Sequence, residues 1–428
     1  MEELANKVTF RNYLFFWTGQ LFSLLGSMVV FFVITFWIAQ IYDDPIISAF
    51  ASFLYIIMMT ICMPFAGVLA DRINRKVLII LADSLQAYVT ILLIIIFYFG
   101  IADIWIVYLF ISLRSIFQAF HVPTVNSIIP TMVPKDKLSR INGVNFLFSS
   151  VVQFIAPFIG AIMYAFFSMH MILWIDVITF IIALIPLLLV RIPSVRQINN
   201  VENGKKKSSF FKEFKLGLKT LRIIPGLVIL VILSMLLNFL IQPINALMAL
   251  FIINVHGGTA IHLALAEMLF TGGMFGGALL TSIKKSWNNK LRVIFVSLVI
   301  ALVGYMTLAI APIGDYYIIG IGGIILGFNL PIINSLYQTF IQTVTPVDKL
   351  GRVTSIDNTL SSAISPVGSL LAGPMAVLLS IPSLFFFSGF LGVICTICFW
   401  TFTGIRKIDI ESKGALEEIH GKIENISI

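Results

Sequence analysis

Arg114 is the residue most at odds with its surroundings in this chain of 428 residues. It stands inside the apolar run 104–131 with no other Lys or Arg for company. An arginine at the centre of a membrane span costs about 2.5–3.5 kcal/mol even on insertion-based scales, so it must face a partner or a watery cavity. Gln118 and His121 follow at i+4 and i+7, and the three share one helical face. Such a face can line a transport path, with Arg114 biasing the proton affinity of a carboxylate or binding an anionic group. A purely structural tie to a carbonyl or an acid is the alternative. Asp176, Glu267 and Asp357 lie in other apolar runs. Desolvation favours the neutral form of a carboxylate, so an acid of this kind can take up and release a proton as its access to water alternates. These three acids, with Arg114 and His121, are the candidate proton-coupling residues. Their spacing does not choose among them.

Amides form a second set. Asn238, Gln242 and Asn245 fall at i, i+4 and i+7, with Pro243 as an expected kink. Ser149, Ser150 and Gln153 lie in another run, and Asn329, Asn334 and Gln338 in a third. Facing lipid they would be costly, so they either contact substrate in a cavity or hold helices together. Gly272/Gly276 and Gly273/Gly277 form two G-x-x-x-G pairs, which allow close helix approach.

These side chains need long helices to position them. With 59% hydrophobic and only 11% charged residues, the chain lies outside the soluble range, where about a quarter of residues are charged. A span needs roughly 20 apolar residues. Twelve are expected: 13–40, 46–70, 77–99, 104–131, 140–167, 171–190, 226–254, 260–283, 291–311, 316–343, 352–379 and 383–403. Runs this continuous are helical, and the alternation of an outer-membrane barrel is absent. Of the 28 Lys and Arg residues, 27 fall in alternate gaps between these runs. Retention of basic loops in the cytoplasm predicts that alternation, and places both termini inside. It also accounts for the +8 net charge without nucleic acid.

Residues 191–225 carry nine basic and two acidic side chains and read as a basic cytoplasmic linker against anionic headgroups. The expected organisation is a six-helix bundle over 1–190, the linker, a second bundle over 226–403, and a cytoplasmic tail over 404–428. The halves repeat. Pro134-Lys-Asp136-Lys137-Leu138-Ser-Arg140 returns 212 residues later as Pro346-Val-Asp348-Lys349-Leu350-Gly-Arg352, and Ser149-Ser150 as Ser361-Ser362. Parallel six-span repeats of this kind imply two bundles facing across a central cavity.

The loop between the second and third runs reads Gly67-Val-Leu69-Ala-Asp71-Arg72-Ile-Asn74-Arg75-Lys76. It resembles the loop signature of the major facilitator superfamily, with Asn74 where glycine is common. The opening segment, from Arg11-Asn12-Tyr13 through Trp17-x-Gly19-Gln20-x-x-Ser23-x-x-Gly26-Ser27, is similar to that of macrolide-efflux-like drug/proton antiporters, as is Ile175-Asp176. Leu113-Arg114 and Gln118 resemble the superfamily's proton-linked arginine segment, with Ala119 in place of the usual glycine. Ala156-Pro157-x-x-Gly160 is a degraded form of an exporter motif.

The resemblance implies an all-α membrane protein of twelve helices in the major facilitator fold, seated in the bacterial cytoplasmic membrane. It implies a proton-coupled exporter of hydrophobic drugs working by alternating access, and a family-specific packing role for Asp176. Gly67, Asp71, Arg72, Arg75 and Lys76 would form a cytoplasmic gate. Asp83, near the cytoplasmic end of its run, is either a fourth acid able to carry a proton or a member of that gate. An asparagine tolerates a left-handed turn, which would let Asn74 replace glycine. Gln20, Gln118, Ser149, Gln153, Asn238, Gln242, Asn245, Asn329 and Asn334 are the expected cavity residues. The partners are a small-molecule substrate, protons and the lipid bilayer, with the protein acting as a monomer. Export of a siderophore or a lipid, or a receptor role on the same scaffold, are the competing readings.

No phosphate loop, H-E-x-x-H pair or nucleophile with a base occurs, so neither an enzyme nor an ATP-driven pump is expected. No cofactor or metal is expected either. Cys395-x-x-Cys398 has no second pair and no nearby histidine, and reads as two small side chains in a span.

Overall fold

The computed structural model describes residues 7–134, 137–192, 218–284 and 287–407. Within these, the side chains of residues 67, 68, 70–72, 130, 139, 347, 348, 352 and 407 are not described. The surroundings of Gly67 and the side chains of Asp71 and Arg72 in the expected gate, most of the linker and nearly all of the tail therefore lie outside what is described.

Among the described residues, twelve helical spans are long and apolar enough to cross a membrane. In the first half they are α1 (Lys7–Tyr42), α2 (Pro45–Arg72), α3 (Arg75–Tyr98), α4 (Ile104–Met132), α5 (Leu138–Phe166) and α6 (Met169–Leu189). In the second they are α7 (Leu227–Leu250), α8 (Ala260–Ile283), α9 (Lys290–Ala309), α10 (Tyr316–Val344), α11 (Val347–Ala363) with α12 (Ser365–Leu379), and α13 (Ile381–Phe402). The eleventh span is thus two helices. Pro366 enters at the first turn of α12, where a proline is tolerated, but its ring and missing N–H end the preceding helix at Ile364.

Local chemistry sets many of the ends. Asp44, Asp103 and Asp315 cap α2, α4 and α10 by accepting hydrogen bonds from first-turn N–H groups. Asn74 does the same for α3, its side chain accepting from the Lys76 N–H at 3.0 Å. Its φ is −61°, so the expected left-handed turn is not present. Asparagine replaces glycine here as a helix cap.

The chain divides into two compact units: Met1–Lys205 with 252–254 and 258–268, and Lys206–Phe251 with 255–257 and Leu269–Ile428. Inside the first, α1 packs on α5 and α6, α2 on α4, and α3 on α4 and α6. The second half repeats this order: α7 packs on α11, α12 and α13, and α9 on α10 and α13. The contacts of α1 and α3 thus have counterparts at α7 and α9. Leu221 and Ile224, at the end of the expected linker, are buried in the second unit's core with Leu227, Phe340 and Val353. That segment, helical over 218–223, is part of the packed unit.

Glycines bring α8 against α10. A Cβ at Gly273 would stand 2.5 Å from the Ile324 carbonyl oxygen, and one at Gly327 would come closer still to that of Phe270. Gly277 meets the Phe328 carbonyl in the same way. Of the two G-x-x-x-G pairs, Gly273/Gly277 is the one at the backbone contact.

Candidate functional site

The polar side chains of the first unit form a ladder between helices α1, α3, α4 and α6. The i, i+3 and i+7 positions Asp83, Gln86 and Thr90 of α3 face Arg114, Gln118 and His121 of α4, which run in the opposite order. Gln20 and Ser27, seven residues apart, are the α1 contribution, and Asp176 comes from α6. All lie in apolar helices, so each polar atom must find its partner inside the protein.

At one end Arg114 Nη1 lies 2.5 Å from Asp176 Oδ2, with the two side chains 10% and 6% exposed. Thr90 Oγ1 is 2.7 Å from the same carboxylate oxygen, and Arg114 also donates to that hydroxyl. Ser27 Oγ donates to Asp176 Oδ1 at 3.1 Å. Asp176 is therefore met by a cation and two hydroxyls from three helices. A buried carboxylate is tolerable only with such compensation. In the middle, Gln86 Nε2 donates to Gln118 Oε1 at 3.3 Å. At the other end His121 Nε2 is 2.8 Å from Gln20 Oε1 and 3.6 Å from Asp83 Oδ1. Asp83 and Thr90 are seven residues apart, which sets the two ends about 10 Å apart along the helix.

The sequence brings Arg114, Gln118, His121, Asp176 and Gln20 forward as candidates, and the structure joins them. Sequence reasoning misses Gln86 and Thr90 and holds Ser27 only as part of the opening motif, since uncharged hydroxyls and amides carry little signal alone. The seven-residue spacings 20/27 and 83/90 are the pattern that marks them. Asp83 belongs to this ladder and contacts His121, two helical turns away from the loop motif that was one of its two expected places.

The described gate residues sit elsewhere. Arg75 Nη1 donates to the Ser127 carbonyl at 2.7 Å, near the end of α4. Lys76 Nζ donates to the carbonyls of Leu188 and Val190 at 2.7 and 2.8 Å, at the end of α6. Both cations thus satisfy carbonyls at helix C-termini, where positive charge is favoured.

Outside the ladder, Tyr337 donates to Asp357 Oδ1 at 2.5 Å inside the second unit. Glu267, half-buried on α8, makes no hydrogen bond or ion pair with any described residue. Asn238 and Asn329 donate to carbonyls of their own helices, at Ser234 and Ile325. Gln242 is buried with its Oε1 unpartnered. Asn245, Asn334 and Gln153 are exposed and Ser149 is half-exposed, so these four are not drawn into the ladder. Among the described residues no group of His, Cys, Asp or Glu has the arrangement of a metal site.

The Major Facilitator Superfamily profile matches residues 16–369. The chain belongs to that superfamily of transporters and is a multi-pass protein of the bacterial cell membrane. Macrolide efflux protein A of Streptococcus pyogenes is 27% identical over 92% of this chain and 96% of its own. The protein of the same name from Enterococcus faecalis is 28% identical over 71% of this chain and 93% of its own. Among solved structures, the nucleoside transporter NupG superposes with a TM-score of 0.69 at 14% identity, covering 91% of this chain and 98% of that one. An inward-facing bacterial homologue of the iron transporter ferroportin gives 0.64 at 17% identity over 91% and 99%. At these identities the two structures speak for the fold alone.

Proposed function

We propose that this protein is a proton-coupled exporter of hydrophobic drugs, macrolides among them, working by alternating access as a monomer with both termini in the cytoplasm. The observation that carries the substrate class is the likeness to macrolide efflux proteins along nearly the whole chain. The coupling half rests on the ladder. Ionisable groups inside membrane spans are costly and mark ion or substrate pathways. Here two acids, an arginine and a histidine meet within one bundle. Substrate binds near mid-membrane, and a change in protonation shifts the balance between inward- and outward-open states. It does so only through its differential affinity for the two.

The test is drug accumulation in cells. Cells producing the protein should hold less macrolide or lipophilic dye than cells without it, and the difference should vanish when the proton gradient is collapsed. Equal accumulation for every such compound would defeat the drug-export reading. A cysteine placed at Ile101, exposed in the turn after α3, should react with an impermeant reagent from outside only. Labelling from the cytosol would reverse the orientation.

A further inference from the structure

The two acids of the ladder are held in opposite ways. Asp176 is fixed: a guanidinium and the Thr90 hydroxyl meet one oxygen, and the Ser27 hydroxyl meets the other. Asp83 is 5% exposed, and its polar neighbours are the His121 imidazole and the Gln20 amide. Its nearest basic atom, His121 Nε2, stands 3.6 Å away and is engaged at 2.8 Å by Gln20 Oε1. Gln20 also reaches toward Asp83, yet its buried Nε2 completes no hydrogen bond. A loose carboxyl, an unpartnered amide N–H and an imidazole thus share one end of the ladder. An ionised buried carboxylate with so little compensation is costly, and an unmade buried hydrogen bond adds to that cost.

We propose that Asp83, with His121 and Gln20, is the proton-binding site of this transporter, and that Arg114–Asp176 is a permanent ion pair that holds the ladder in register. The assignment rests on the proton-coupled reading above. In the loaded state a proton from water is bonded to the Asp83 carboxylate, and His121 donates its Nε2–H to Gln20 Oε1. In the unloaded state that O–H bond is broken and the proton returns to water. The Gln20 amide then turns its free Nε2–H onto the carboxylate, and His121 follows it.

Loading makes the net charge of the ladder more positive by one, with Arg114 and Asp176 paired in both states. The charged and titratable groups that act on Asp83 are His121 from α4 and, from farther along the ladder, Asp176 from α6, which Arg114 of α4 pairs. Tyr55 of α2 stands close enough to Arg114 to feel its charge. The ladder residues of α1, Gln20 and Ser27, are neutral. Gln20 thereby passes the change of proton state to α1, the helix that packs on both α5 and α6.

The test is an infrared pH titration of the full-length protein in lipid nanodiscs, following the C=O stretching band of protonated carboxyl groups. Wild type should show a titrating band that is lost in Asp83→Asn and kept in Glu267→Gln and Asp357→Asn. Gln20→Leu should displace its midpoint. A band that survives Asp83→Asn and disappears in either other variant would overturn the assignment. Transport gives an independent arm. Asp83→Asn should lose drug uptake driven by a pH gradient in vesicles but keep exchange between equal drug pools, which also shows that the variant folds. Retention of full gradient-driven uptake would equally overturn it. If wild type moves no drug under any gradient while the Asp83 band still titrates, the exporter reading fails and the proton site stands.

Discussion

Arg114 Nη1 and Asp176 Oδ2 are 2.5 Å apart, so two charges separated by 62 residues of chain are joined in the interior of the first bundle. Both side chains are almost wholly buried. Arg114→Ala strands the carboxylate, and breaking a buried pair from one side costs about 3–5 kcal/mol. The expected result is a clear fall in the thermal unfolding temperature in detergent, together with loss of drug transport. Replacing both partners, Arg114→Met with Asp176→Leu, should restore much of the stability without restoring transport. Full transport by Arg114→Ala would remove the ladder from the mechanism.

Gly276 and Gly277 are neighbours in sequence with different surroundings. A Cβ at Gly277 would overlap the backbone oxygen of Phe328, whereas one at Gly276 would stand 3.3 Å from the ring of the same residue. Backbone cannot move aside as a side chain can. Gly277→Ala should destabilise the protein by about 1–3 kcal/mol, the usual cost of overpacking. Gly276→Ala should stay within about 1 kcal/mol of wild type. Unfolding of the two variants, measured side by side in the same detergent, decides the matter.

His256 lies in the turn after the seventh span, with Nδ1 accepting from the Gly314 N–H at 3.2 Å. Burial holds its imidazole below the ordinary value of 6.5. A proton on Nδ1 would face a donor, so the folded protein favours the neutral ring. This contribution to stability is complete above pH 6.5 and is lost as the pH falls from there toward the lowered folded-state value. Thermal stability should therefore drop on acidification in wild type, and less steeply in His256→Gln. Parallel pH profiles for the two would show that the ring does not titrate in this way.

How far the sequence reaches depends on the range of each interaction. The spans are legible because lipid demands long apolar helices, and the repeat because its loop motif recurs at half-length. The α4 face is legible too, since Arg114, Gln118 and His121 lie within two turns of each other. Its partners are not. Asp176 and Ser27 are 149 residues apart, and no local periodicity connects them. The break at Ile364 has a signal in Ser365-Pro366, hidden by the hydrophobicity on both sides. Asn74 stands where the superfamily favours glycine, and its own chemistry as a cap is a better guide than that comparison.

Proton movement triggered by a drug in sealed vesicles tests the central claim most directly. Purified protein is reconstituted with a pH-sensitive dye inside, and a macrolide or lipophilic dye is added outside without any imposed gradient. Protons should move opposite to the drug in wild type, and no such movement should occur in protein-free vesicles or with Asp83→Asn. Drug flux with no accompanying proton movement in wild type would contradict the account.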